Sequence, residues 1–163
     1  MKKNESGFSL LEILVVLVVF SFLAIVISQS LLFTLRGTRK SETISSVREN
    51  VDFAIAIMER QLHNADLVYP CPNPDDKVLA FRDQDGRAVN FSCQNVGEEG
   101  YVASGSGRLT NDTVAITSCS LRCSAGGNAP PTVEIELTGK ASGAKGSEAS
   151  VVSSATTVIL RSY

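Results

Sequence analysis

Two hydrophobic rhythms divide this chain. From Ile13 to Leu35 there is no charged residue, no Pro and no Gly, and thirteen of the fifteen residues from Ile13 to Ile27 are Ile, Leu, Val or Phe. At about -0.3 to -0.6 kcal/mol for each such residue, that core favours membrane insertion by roughly 4 to 8 kcal/mol. After Gly37 the apolar positions thin out to Ile44, Val47, Val51, Ala54, Met58, Leu62 and Ala65, in steps of three or four. That is the spacing of one helix face. Glu42, Arg48, Glu49, Asp52, Glu59, Arg60 and Asn64 fill the other positions, so the segment predicts an amphipathic helix laid on a globular partner. A helix continuous from Phe8 to about Asp66 would be roughly 90 Å long at about 1.5 Å per residue. A domain this small cannot bury it, and half is expected to project.

Pro70, Pro72 and Pro74 end the helical pattern. Beyond them the period changes. Val78 to Phe81 and Ala88 to Phe91 flank Asp85-Gly86, a dipeptide favoured in two-residue hairpin turns where both central residues take positive φ. Further strands are expected at Tyr101 to Ala103, Thr113 to Ser118, Thr132 to Leu137 and Ser154 to Arg161. TVEIEL alternates, with Val133, Ile135 and Leu137 on one face and Glu134 and Glu136 on the other. That is a strand with one wet face. The Gly-, Ser-, Ala- and Pro-rich stretches Ser124 to Pro131 and Gly139 to Ser150 predict surface loops. The fold class is α+β: a long N-terminal helix, transmembrane in its first half and amphipathic in its second, packed on an antiparallel sheet. The 163 residues suit one modest domain with that appendage.

Charge and cysteine usage narrow the function classes. Formal charge is -2, with Lys and Arg scattered singly apart from Arg36, Arg39 and Lys40, whereas nucleic-acid binding calls for a basic face. Positive charges flank both ends of the apolar run, Lys2 and Lys3 before it and Arg36, Arg39, Lys40 and Arg48 after it, so charge bias leaves its orientation open. All four cysteines, Cys71, Cys93, Cys119 and Cys123, follow the apolar run, an even number in a small domain, as in disulfide-bonded extracytoplasmic proteins. Of the three connectivities the sequential one, 71 with 93 and 119 with 123, is favoured. Four reduced thiols, or a metal held by Cys119 and Cys123, are the alternatives. With no CxxC pair and a single histidine, His63, no metal is expected. No GxSxG, Walker loop or HExxH occurs, so neither a catalytic site nor a cofactor is expected. Asp75-Asp76 and Glu98-Glu99 fall in turn-like segments and are expected on solvated surface.

The N-terminus reads MKKNESGFSLLEILVVLVVF. A short basic leader ends in Gly7, Phe8 follows, Glu12 comes four residues later, and the apolar run begins. This resembles the type IV prepilin family of pilins and type II secretion pseudopilins. The resemblance implies a leader (1–7), cut by a prepilin peptidase after Gly7, and Phe8 as an N-methylated new terminus. It makes residues 8–35 a membrane and assembly helix and Glu12 the assembly carboxylate. Residues 36–66 would then be the amphipathic helix and 67–163 an extracytoplasmic β-rich domain, with other pilin subunits as partners. SVRENVDFAIAIMERQLHNAD and the ending ATTVILRSY are similar to minor pilins and minor pseudopilins. Many major pilins carry a Pro within the apolar segment and a disulfide near the C-terminus, and neither is read here. A secretory signal peptide with a cut after Ser28 or Ser30, a plain membrane anchor, and an anchored extracytoplasmic binding or enzymatic domain are the competing readings. None of them explains a carboxylate at the head of the apolar run.

Overall fold

The computed structural model describes residues 9–125, 130–144 and 150–160, in two compact units, Met1–Arg39 and Lys40–Tyr163. One helix, α1 (Leu10–His63), crosses the boundary between them. Ser9 starts it: its carbonyl accepts the N–H groups of Glu12 and Ile13, at 3.0 and 3.2 Å. In the second unit Val47, Val51, Ala54, Met58 and Leu62 of the expected face are buried, Ile44 and Ala65 are partly buried against them, and Ile55 joins the core beside them.

That face packs on two antiparallel sheets. The first holds β1 (Ala65–Val68), β2 (Val78–Asp83), β3 (Ala88–Gln94), β4 (Tyr101–Ser104) and β5 (Gly107–Arg108), in chain order across the sheet. The second holds β6 (Val114–Ser124), β7 (Thr132–Ala141) and β8 (Val151–Ile159). Leu79, Phe81, Phe91 and Val102 from the first sheet, and Ile116, Leu121, Val133, Ile135 and Leu137 from the second, join the helix in one hydrophobic cluster. Phe81 and Phe91, on neighbouring strands, meet at 4.8 Å between ring centroids, a tilted pairing of the favourable kind. In β7 the predicted alternation is present, Val133, Ile135 and Leu137 inward and Glu134 and Glu136 outward.

Several elements depart from the sequence pattern. The helix stops at His63, three residues early, because Asn64 N–H turns back to the Gln61 carbonyl (3.2 Å) and Ala65 to Val68 pair with β2 instead. The span 36–66 is therefore not all helix. The β2–β3 hairpin has positive φ at Gly86 but not at Asp85. Gly86 N–H reaches the Asp83 carbonyl and Asp83 N–H the Arg87 carbonyl, both at 3.0 Å, so this is a three-residue loop with glycine in the left-handed position. Strand β8 begins earlier than expected, at Val151, and Arg161 lies outside the described residues. Gly139 to Ala141, expected in a loop, belong to β7. A Cβ on Gly139 would stand 3.0 Å from Val51 Cγ2 and 3.3 Å from Val114 Cγ1, so the glycine lets the helix approach the sheet.

The sheets are stitched by backbone. Ile116 N–H donates to Gly100 O (2.8 Å) and Gly97 N–H to Ile116 O (2.9 Å), and Leu121 N–H donates to Asp76 O (2.6 Å). A Cβ on Gly100 would fall well inside contact distance of the Ile116 carbonyl oxygen. Gly100→Ala should therefore separate this stitch and destabilise the domain by about 3 kcal/mol, read as a lowered thermal midpoint by circular dichroism. An unchanged midpoint would show that the close approach is dispensable.

The cysteine pairing is a correction. Cys71 bonds Cys123 and Cys93 bonds Cys119, with Cα separations of 5.2 and 6.2 Å. Cys119 and Cys123 both sit on β6, and four residues of strand place their Cα atoms about 13 Å apart, beyond the reach of about 7 Å for a disulfide. Each must find a partner elsewhere. Asn73, between Pro72 and Pro74, fastens the same region: its side-chain amide donates to Leu121 O (2.7 Å) and Val78 O (3.1 Å), and its Oδ1 accepts from Cys123 N–H (2.7 Å).

Candidate functional site: the N-terminal helix and its lone carboxylate

Between Ser9 and Leu35 the one charged side chain is Glu12, and it stands in the first turn of α1. Ser9 and Glu12 occupy the N-cap and third helical positions, the spacing of a capping box, and a carboxylate there also meets the positive end of the helix dipole. Gly7 and Phe8 lie outside the described residues.

Around Glu12 and beyond it the large apolar side chains from Leu10 to Leu35 are exposed on all sides of the helix, from 48% for Ile13 to 84% for Leu10. Apolar surface on that scale marks a membrane or protein contact. The helix is long and apolar enough to cross a membrane. Three of its four hydroxyls are closed on the helix itself: Ser21 Oγ donates to Leu17 O, Ser28 Oγ to Ala24 O and Thr34 Oγ1 to Ser30 O, at 2.7 to 2.9 Å. Such i−4 bonds leave less polar capacity unmet in hydrocarbon.

The globular unit offers less chemistry. Among the described residues no group of three or more His, Cys, Asp or Glu could hold a metal. His63 is exposed at the end of α1. The paired acids are surface groups with local duties: Asp75 Oδ1 accepts Lys77 N–H (2.9 Å), and Glu98 pairs with Lys140 Nζ at 2.7 Å. A cleft of about 370 Å³ lies between the end of α1 and the β2–β3 hairpin, lined by Arg60, Gln61, Asn64, Phe81, Asp83 and Ser104 among others. Gln61 Oε1 accepts the Ser104 hydroxyl there (2.8 Å).

Comparison with known proteins decides among these features. Residues 2–28 match the family described as the prokaryotic N-terminal methylation motif. The chain carries the signature of type IV pilin-like prepilins. No curated protein and no solved structure matches the chain. The match takes in Glu12 and the apolar run from Ile13 to Ser28, where the structure shows a lone carboxylate heading an exposed apolar helix. It points to a structural subunit rather than an enzyme, and with the single apolar helix it fits a single-pass membrane-anchored protein. The sequence pattern singled out Glu12. Asn73 escaped it, although an Asn held between two prolines is itself a signal of a shaped turn.

Proposed function

We propose that the chain is a minor subunit of a type IV pilus or type II secretion pseudopilus. A prepilin peptidase removes residues 1–7 and the remainder joins the filament through its N-terminal helix. The observation that carries this reading is the position of Glu12, one carboxylate at the head of a long, exposed apolar helical stretch, within the matched motif. Cleavage after Gly7 removes two cations and one anion, taking formal charge from -2 to -3. It also leaves a free α-amine at Phe8, cationic at neutral pH. A cation among apolar helices is costly when unpaired. The Glu12 carboxylate of a neighbouring subunit neutralises it, and N-methylation of Phe8 leaves its charge in place.

The C-terminal domain lies outside the cytoplasm, a placement supported by the two disulfides. A minor role is supported by an apolar run without Pro. The domain boundaries follow: leader 1–7, assembly helix 8–35, amphipathic helix from 36 to His63, and the β-rich remainder.

The mature N-terminus tests this. Mass spectrometry of the membrane-extracted protein should find a chain beginning at methylated Phe8. A chain beginning at Met1 would identify a plain anchor, and one beginning near Leu31 a secreted protein. Gly7→Glu or Gly7→Leu should block maturation, because a peptidase working at the membrane surface needs a compact residue at the cut, and the precursor should accumulate in the membrane. Normal trimming of either variant overturns the assignment of Gly7.

A further inference from the structure

We propose that Asn111 carries an N-linked saccharide, its side-chain amide taking the sugar from a polyprenyl-diphosphate donor at the outer face of the membrane.

An Asn-X-Ser/Thr triplet in which X is not Pro is the acceptor pattern for that transfer. Beyond the apolar run the chain holds two, Asn90-Phe91-Ser92 and Asn111-Asp112-Thr113. The fold separates them. The first lies inside β3, where Phe91 and Ser92 are laddered to β2 on one side and to β4 on the other, with Phe91 fully buried and Ser92 at 5% exposure. A transferase reaches that triplet only by opening the sheet. Asn111, Asp112 and Thr113 stand between β5 and β6, and all three are exposed.

The second triplet is held in one fixed arrangement. Thr113 donates twice to Asn111 Oδ1, from its N–H at 3.1 Å and from its hydroxyl at 2.7 Å. A backbone N–H can only donate, so the amide atom facing it is the oxygen, and the Nδ2 group faces away. Among the described residues Nδ2 has no hydrogen-bond partner. Arg108 fastens the rest of the loop: it pairs with the Asp112 carboxylate, donates to the Asn111 carbonyl at 3.1 Å, and lies over the Tyr101 ring at 4.6 Å. The loop is ordered around the amide, and the amide nitrogen is left open.

An amide nitrogen is a weak nucleophile because its lone pair is delocalised into the carbonyl. Two donors on Oδ1 stabilise the negative charge that gathers there as an N–H proton departs. Nδ2 then attacks the anomeric carbon of the donor, and the N–C bond forms as the C–O bond to the diphosphate breaks. The polyprenyl diphosphate leaves with the electron pair, and the Nδ2 proton passes to a carboxylate of the transferase. No oxidant or reductant is required. Beside the loop, a cleft of about 290 Å³ is lined by Glu99, Tyr101, Arg108, Asp112 and Ser142 among others. Its carboxylates, guanidinium and hydroxyl match the donors and acceptors of vicinal sugar hydroxyls, so the first sugar has a seat next to its point of attachment.

The site rests on the extracytoplasmic placement proposed above, because the carrier lipid offers its sugar on that side. A chain held in the membrane by its own helix shares that surface with the lipid, which raises the effective concentration of each for the other.

Full-length protein extracted from the membranes of the cells that make it tests the proposal. After reduction, trypsin separates the two triplets into the peptides Ala88–Arg108 and Leu109–Arg122. By mass spectrometry the second should carry at least one sugar and the first none. Asn111→Gln and Thr113→Val should each abolish the added mass, and Thr113→Ser should retain it at lower occupancy, with circular dichroism unchanged in all three. A bare Leu109–Arg122 peptide in the native protein, added mass that survives Asn111→Gln, or added mass on Ala88–Arg108 in its place overturns the proposal. The N-terminal peptide of the same digest scores the assembly reading separately. A chain beginning at Phe8 with a bare Asn111 overturns the saccharide alone, and a chain beginning at Met1 with a modified Asn111 overturns the leader cleavage alone.

Discussion

Replacing Glu12 with Leu should leave the protein in the membrane and abolish its incorporation into the filament. Removal of the carboxylate lifts an insertion cost of up to roughly 3 kcal/mol, so membrane levels should hold or rise. Assembly should fail because the amine at Phe8 then remains an uncompensated charge among apolar helices, a penalty of about 3 to 5 kcal/mol when one partner of a buried pair is removed. Since Glu12 also stands at the third position of the helix, Leu removes a capping group as well. Glu12→Gln separates the two roles, because Gln serves that helical position nearly as well but cannot neutralise a cation. If pairing is the function, Gln should fail like Leu; if capping is the function, Gln should assemble like the native protein. The measurement is immunoblotting of membrane and sheared-filament fractions from cells lacking the native copy. Native incorporation of both variants would remove Glu12 from the mechanism. Loss of either variant from the membrane would make it an insertion determinant.

Opening the disulfides should bring the second-largest change. The Cys71–Cys123 bond spans 52 residues and encloses the Cys93–Cys119 bond, which spans 26. Taken singly, the chain-entropy model assigns them about 4 and about 3.5 kcal/mol. Cys71→Ser with Cys123→Ser should therefore lower the denaturant midpoint more than Cys93→Ser with Cys119→Ser, with the m-value raised because the freed chain is less compact when unfolded. Disulfide mapping should also show the nested set: proteolysis between 93 and 119 should release no fragment until reductant is added, whereas the sequential pairing would release one. Mapping that finds 71 joined to 93, or a smaller midpoint shift for the outer pair, would refute the nested arrangement.

The amphipathic face was legible because Val47 through Leu62 repeat with helical period over more than four turns, and periodicity is a local property. Strand β1 was not, since Ala65 extends the same spacing and only the presence of β2 as a partner makes Ala65 to Val68 extended. β5, two residues long, is too short to show any period. Gly139 looked like loop for its composition; its role depends on Val51, nearly ninety positions away. Cysteine connectivity failed for the same reason, because proximity across β6 is set by tertiary packing. Glu12 stood out in the sequence for the opposite reason. A charge inside an apolar run is conspicuous without any fold.

Ser21, Ser28 and Thr34 have one more consequence. Because each hydroxyl is already bonded to its own helix, none asks for a partner from whatever surrounds it. Passing from acyl chains to a bundle of neighbouring helices would then exchange one apolar contact surface for another, with none of these three donors to strip and re-pair on the way. Leaving a bilayer is opposed chiefly by the surface the helix must cover again elsewhere, and neighbouring subunits of the same kind can supply that cover.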